Sequence, residues 1–121
     1  SNYFLKKLKV LNISDIKSYI QKVPIKIKSL DYYIKKNDIK IIDILKIDTE
    51  GFELEVLKGL KENYNKVNFV YFEHHYDNMI KKNYTFSDIH NLLKKYGFER
   101  RLKSRMPFRK SFEYIYQNSR N

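Results

Sequence analysis

Residues 41–60 read Ile-Ile-Asp-Ile-Leu-Lys-Ile-Asp-Thr-Glu-Gly-Phe-Glu-Leu-Glu-Val-Leu-Lys-Gly-Leu. Ile41, Ile42, Ile44, Leu45 and Ile47 form a short β-branched run, the pattern of a strand buried on both faces. The run stops at Asp48-Thr49-Glu50-Gly51. Phe52, Val56, Leu57 and Leu60 then fall at i, i+4, i+5 and i+8, which is helical spacing. A buried strand, an acidic turn and a helix in this order are one unit of an α/β sheet.

Downstream, Val67–Phe72 predicts a second buried strand, ending in Glu73-His74-His75. Thr85-Phe86-Ser87-Asp88 has capping-box form. It opens a stripe of Phe86, Ile89, Leu92, Leu93 and Tyr96, and Gly97 is a suitable C-cap. Phe98, Arg100 and Leu102 predict a strand. Phe112, Tyr114 and Tyr116 alternate with Glu113, Ile115 and Gln117 and predict the last one. Residues 103–111, with Pro107, read as a long hairpin loop.

Upstream, Val23, Ile25 and Ile27 alternate with Pro24, Lys26 and Lys28, the period of a half-buried strand. Ser29 is placed to cap a helix whose inner face is Leu30, Tyr33 and Ile34 and which Asn37 and Asp38 close. Ile13, Ile16 and Ile20 after Asn12 predict a short helix near 13–21. Strands that alternate with helices imply parallel pairing through right-handed crossovers. The last two strands are close enough in sequence to pair antiparallel.

The chain has 121 residues, 25 Lys+Arg against 14 Asp+Glu, no Cys and 3 Gly. One domain fits this length. Without cysteine there is no disulfide framework, zinc ribbon, iron–sulfur site or thiol nucleophile. No stretch approaches the roughly 18 apolar residues of a bilayer span and no secretory pattern opens the chain, so the expected location is the cytoplasm. The net charge of +11 suggests an anionic partner. The lysines are spread along the whole chain, as AT-rich coding would produce, and this disfavours a dedicated nucleic-acid role. Ser, not Met, is the first residue, so the chain is expected to be part of a longer one.

In open α/β sheets, ligands bind beyond the carboxyl ends of the strands. If the two buried strands are neighbours, about 4.8 Å apart, their ends bring Asp48, Thr49, Glu50, Glu73, His74 and His75 together. Such carboxylates and imidazoles suit a general base or a hard cation. A structural alternative stands beside this: Asp48 or Thr49 caps the next helix, and Glu50 and Glu53 answer its dipole. One of His74 and His75 must point away from the other, since side chains alternate along a strand. His90, with no acid at ligand spacing, reads as structural. Arg100, Arg101, Lys103, Arg105, Arg109 and Lys110 lie among Phe98, Phe108 and Phe112. This mixture suits an anionic sugar, a nucleotide or single-stranded nucleic acid, or simply a solvated hairpin tip.

Leu45-Lys46-Ile47-Asp48-Thr49-Glu50-Gly51-Phe52-Glu53, followed by Val56-Leu57-Lys58-Gly59, resembles the signature of FkbM-type S-adenosylmethionine-dependent methyltransferases, roughly K-I-D-V-E-G-x-E-x-x-V-L-x-G. Leu30-Asp31, the run from Val67 to Glu73 and the step Leu93…Tyr96-Gly97-Phe98 are similar to neighbouring elements of that family. The likeness runs from about residue 23 to 117. It implies a class I methyltransferase-like (Rossmann-like) sheet, of which this chain holds a partial, mostly parallel set with a C-terminal antiparallel hairpin. In the full order 3-2-1-4-5-7-6, residues 41–48 would be strand four, 67–73 strand five and the hairpin strands six and seven.

The resemblance further implies methyl transfer from S-adenosylmethionine to a hydroxyl of a sugar, glycan or secondary metabolite. Asp48, Glu73 and His74 are then the catalytic candidates. Asp48, Thr49 and Glu50 are candidates for the cofactor, and Glu53, His75 and Arg109 for the acceptor. A divalent metal, if used, would sit on Asp48 and Glu73. The family's glycine-rich turn is not in this sequence, since Gly51, Gly59 and Gly97 begin no strand–turn–helix unit. Residues 23–117 are therefore expected to be the C-terminal half of the domain, with 1–22 an N-terminal extension and 118–121 a tail. Alone, such a half is expected to be inactive and either poorly stable or self-associating through an uncovered edge, with a homo-oligomer as one outcome.

Overall fold

The computed structural model describes residues 10, 21–78, 80–108 and 110–120. Arg109 and, apart from Gln21, the helix expected near 13–21 lie outside the described residues. The elements are α1 (Leu30–Lys36), β1 (Ile42–Ile47), α2 (Glu53–Lys58), a 3-10 turn (Asn63–Lys66), β2 (Val67–His75), α3 (Phe86–Lys95), β3 (Phe98–Arg105) and β4 (Ser111–Asn118).

The strands form one sheet in the order β1-β2-β4-β3. β1 runs parallel to β2, from Ile42 opposite Val67 to Ile47 opposite Phe72. β4 is antiparallel to β2 and β3 is antiparallel to β4. The sheet is thus α/β and mixed, with a single parallel pairing, where a mostly parallel one is expected from sequence. The cause is β4, which returns from the hairpin and inserts between β2 and β3. No strand forms over 23–27: Val23, Ile25 and Ile27 are all more than 60 % exposed. Among the described residues their alternation has no neighbouring strand to pair with, and Pro24 offers no amide hydrogen.

The sheet has one covered face. Ile47, Val70, Phe72, Tyr114 and Tyr116 join Ile34, Leu54, Leu57, Leu60, Ile89 and Leu93 in the core. α3 lies across this face, with the Phe86 ring 4.5 Å from that of Tyr114 and His90 Nδ1 hydrogen-bonded to Tyr116 Oη at 2.7 Å. His90 is structural, as its lack of a partner acid suggests. Fully burying a residue such as Leu57 or Leu93 contributes about 1.5–3 kcal/mol. The other face carries Ile44, Phe69, Tyr71, Leu102 and Ile115 and stays partly or widely exposed. β1 is therefore not buried on both faces as its composition suggests. Along β3 only Phe98 is buried, so Arg100 and Leu102 face solvent.

Local chemistry sets the element ends. Ser29 Oγ accepts from the Tyr32 amide at 3.2 Å and caps α1, which Asn37 closes. Asp31 sits between Lys35 at 2.9 Å and Lys61 at 3.5 Å and accepts from Asn63 Nδ2 at 2.9 Å. The Lys35 hydrogen bond, ahead of the opposing burial, holds its carboxyl below the usual range. Asp31 N also donates to Gly59 O, which pins α1 to the end of α2. The capping box at Thr85 and Asp88 forms in both directions. Gly97, at φ +86°, lies one residue past the cap that Tyr96 supplies. The strands of the hairpin run on to Arg105 and Ser111, so its loop is shorter than 103–111. At the far end Asn118 Nδ2 donates to Tyr64 O and Val67 O, both at 3.1 Å, and Ser119 N donates to Gly97 O at 2.9 Å.

Candidate active site

Parallel pairing sets the carboxyl ends of β1 and β2 side by side, and the expected cluster divides there according to strand alternation. Asp48 and Glu73 share one side, where with Lys46, Tyr71 and Glu113 they line a pocket of about 40 Å³. The Asp48 side chain is 61 % exposed, with Lys46 Nζ 3.8 Å away. Glu73 is more enclosed. His75 Nε2 lies 3.3 Å from Glu73 Oε1 without hydrogen-bond geometry, and that oxygen is buried with no hydrogen-bond partner among the described residues. Tyr71 Oη donates to Glu113 on the same side.

The turn after β1 is built around Glu53. Neither Asp48 nor Thr49 caps α2, whose cap position is Phe52 with no side-chain bond. Instead Glu53 reaches back from the first turn of the helix. Its carboxylate accepts from Thr49 N and Thr49 Oγ1 at 3.2 Å, from Gly51 N at 3.1 Å, and from the Tyr84 hydroxyl. Burial pushes the Glu53 carboxyl upward, but the bonds from Tyr84, Gly51 and Thr49 outweigh it and hold the group below its ordinary value. Glu50 and Gly51 both have left-handed backbones, at φ +52° and +105°. A Cβ on Gly51 would come within 2.5 Å of Lys81 O, so only glycine lets the 80–81 backbone approach this closely. The turn carrying Asp48 and Thr49 is thereby fastened to the segment before α3. Thr49 and Glu50 are both exposed, Thr49 with its hydroxyl turned to Glu53.

His74 lies on the opposite, covered side of β2, apart from Asp48 and Glu73. It is 3 % exposed, with the rings of Tyr76, Phe86 and Tyr84 at 4.8, 5.7 and 6.0 Å. Its Nδ1 has no hydrogen-bond partner among the described residues. A buried polar atom in that condition costs about 1–3 kcal/mol. Burial, with Lys82 adding to it, lowers the imidazole pKa to about 4. The unfolded chain, near 6.5, therefore binds a proton that the folded one refuses between those values. Stability is full above pH 6.5 and is lost as pH falls toward 4. Urea titrations should show about 2–3 kcal/mol less stability at pH 4.5 than at pH 7, and His74→Phe should remove most of that difference.

Beyond the end of β2, His74, Tyr76, Asp77, Lys82, Tyr84 and Phe86 are among the residues lining a cleft of about 880 Å³. Sequence reasoning misses this cleft because residues 76–84 carry no periodicity. It equally misses the Glu53–Tyr84 pair, which joins positions 31 apart. Among the described residues no group of three or more His, Asp or Glu side chains is placed to hold a metal. A divalent metal on Asp48 and Glu73 is thus not supported by the described residues.

A protein-family model described as the Methyltransferase FkbM domain matches residues 4–100. No curated protein and no solved structure matches the chain.

Proposed function

The chain belongs to the FkbM methyltransferase family, and from that premise we propose that it takes part in methyl transfer from S-adenosylmethionine to a hydroxyl of a sugar, glycan or secondary metabolite. The observation that carries this reading is that Asp48, just past the end of β1, and Glu73, in the adjacent parallel strand β2, line one pocket. The strand order β1-β2-β4-β3, with one parallel and two antiparallel pairings, supports its assignment as strands 4-5-7-6 of a class I sheet. We assign 23–117 to the C-terminal half of that domain, 1–22 to an extension and 118–121 to a tail.

Exposed Asp48, Thr49 and Glu50 offer acceptors suited to the amine and hydroxyl groups of S-adenosylmethionine, and they would hold it. When bound, it supplies an electrophilic methyl on a sulfonium. The chain's own part is to position the acceptor oxygen and take its proton. Alignment of this kind contributes about 7–11 kcal/mol to lowering a barrier. Asp48 is assigned as the base or the anchor of the acceptor, with Glu73 beside it in the same pocket. His75 and Arg109 are assigned to the acceptor, and Glu53 acts through the turn it holds. Since the glycine-rich turn is not in residues 1–121, the assay belongs on the product of the entire gene. Labelled methyl should pass from S-adenosylmethionine to a hydroxyl among a panel of glycosides. Transfer to none of them, with the cofactor bound, rejects the reading.

A second reading, a binding module for an anionic polymer, is favoured by β3. A register irregularity between Arg100 and Leu102 places Arg100, Lys103 and Arg105 opposite Tyr116, Tyr114 and Phe112, so three exposed cations share one side of the strand. Lys103 Nζ lies 4.5 Å from the centre of the Phe112 ring. On this reading, neutralising Arg100, Arg101 and Arg105 lowers the salt needed for elution from heparin. Equal elution before and after counts against it.

A further inference from the structure

We propose that the cleft beyond β2 is the acceptor subsite, and that it takes one ring of a sugar that carries a negative charge. The term acceptor rests on the methyl-transfer reading above, whereas the ligand class follows from the cleft. At about 880 Å³ the space is within the range of small-molecule sites. It lies against the turn that carries Asp48, through the close approach of Lys81 O to Gly51 and the Tyr84–Glu53 bond.

Its walls suit a ring with apolar faces and a polar edge. Tyr76 is held firmly, its hydroxyl 2.6 Å from that of Tyr114 and its ring in edge contact with His74 and Phe112, yet 49 % of it remains exposed. A fixed, half-exposed aromatic ring beside Phe86 is a platform for the C–H face of a pyranose. At the floor, His74 is neutral near pH 7 and so has one donor and one acceptor nitrogen. Its Nδ1 is enclosed and has no hydrogen-bond partner among the described residues, and His74 is among the residues that line the cleft, so a ligand hydroxyl settling against the ring would answer that need. Asp77 and Asn78 add polar groups for the other hydroxyls, and Lys81 and Lys82 bring positive charge to the same cleft. Among the described residues that line the cleft, two lysines stand against the one carboxylate of Asp77, and the Glu53 carboxylate behind Tyr84 is already engaged by Thr49, Gly51 and Tyr84, so the lining favours a uronate or sugar phosphate over a neutral sugar.

The test is direct binding, followed by NMR without S-adenosylmethionine, of the methyl glycosides of glucuronic and galacturonic acid and of their neutral counterparts. At least one uronide should bind saturably and several-fold more tightly than its neutral counterpart. His74→Phe, which removes the ring nitrogens and keeps an aromatic volume, should weaken it about tenfold, and Lys82→Gln should abolish the preference for charge. Saturable binding of none of the four, or binding that both variants leave unaltered, overturns the subsite. Equal binding of charged and neutral glycosides overturns its anionic character. Uronide binding that His74→Phe weakens, in a protein that transfers no methyl, keeps the subsite and removes the methyl-transfer reading. Transfer with binding indifferent to His74 does the reverse.

Discussion

Asp48→Asn is expected to slow methyl transfer by about 10²–10⁴-fold, the usual contribution of a positioned carboxylate base. The fold should not notice the change. The Asp48 side chain is 61 % exposed, and among the described residues its one ion-pair neighbour is Lys46 at 3.8 Å and it does not cap α2. An exposed substitution of this kind shifts stability by no more than about 0.5 kcal/mol. A melting curve that superimposes on the wild type, beside a rate reduced by two or more orders of magnitude, separates a catalytic part from a structural one. Unchanged transfer in a folded variant takes Asp48 out of the chemistry.

Glu53→Ala is expected to behave in the opposite way, with a loss of stability of about 3 kcal/mol or more, because several donors lose their acceptor at once. Thr49 N, Gly51 N and the Tyr84 hydroxyl all converge on this one carboxylate. Tyr84 is only 8 % exposed, so the loss of this acceptor is poorly made good by water. Glu55→Ala, two residues on along α2, is the control. Glu55 pairs with Lys58 at 2.8 Å on the surface, an arrangement that contributes at most about 1 kcal/mol. Urea unfolding of the two variants should differ by about 2 kcal/mol. Similar midpoints would show that the Glu53 network does not hold the turn. Glu53→Gln should recover little, since an amide turns a donor toward donors.

The neighbourhood of Asp48 and Glu73 is legible in the sequence because a buried strand, a helix and a second buried strand leave few arrangements other than parallel neighbours. Strand alternation likewise anticipates that His74 and His75 part company. The caps at Ser29 and Thr85 are local chemistry and can be read locally. What fails depends on partners. Among the described residues, Val23-Pro24-Ile25-Lys26-Ile27 has strand periodicity but no strand beside it, and Ile44 has β propensity but no layer above it. The irregularity in β3 follows from its register with β4, which the sequence of β3 does not encode. The role of Glu53 is invisible from position 53 alone, since its partner Tyr84 arrives from another segment.

The last residues merit more care than a dispensable appendage would receive. Asn118 is almost wholly enclosed, and its amide ties the end of β4 to the start of β2, while Ser119 fastens the turn at Gly97 between α3 and β3. Trimming after Gln117 would thus unlatch two distant pieces of backbone together, and an affinity tag is safely fused only beyond Ser119.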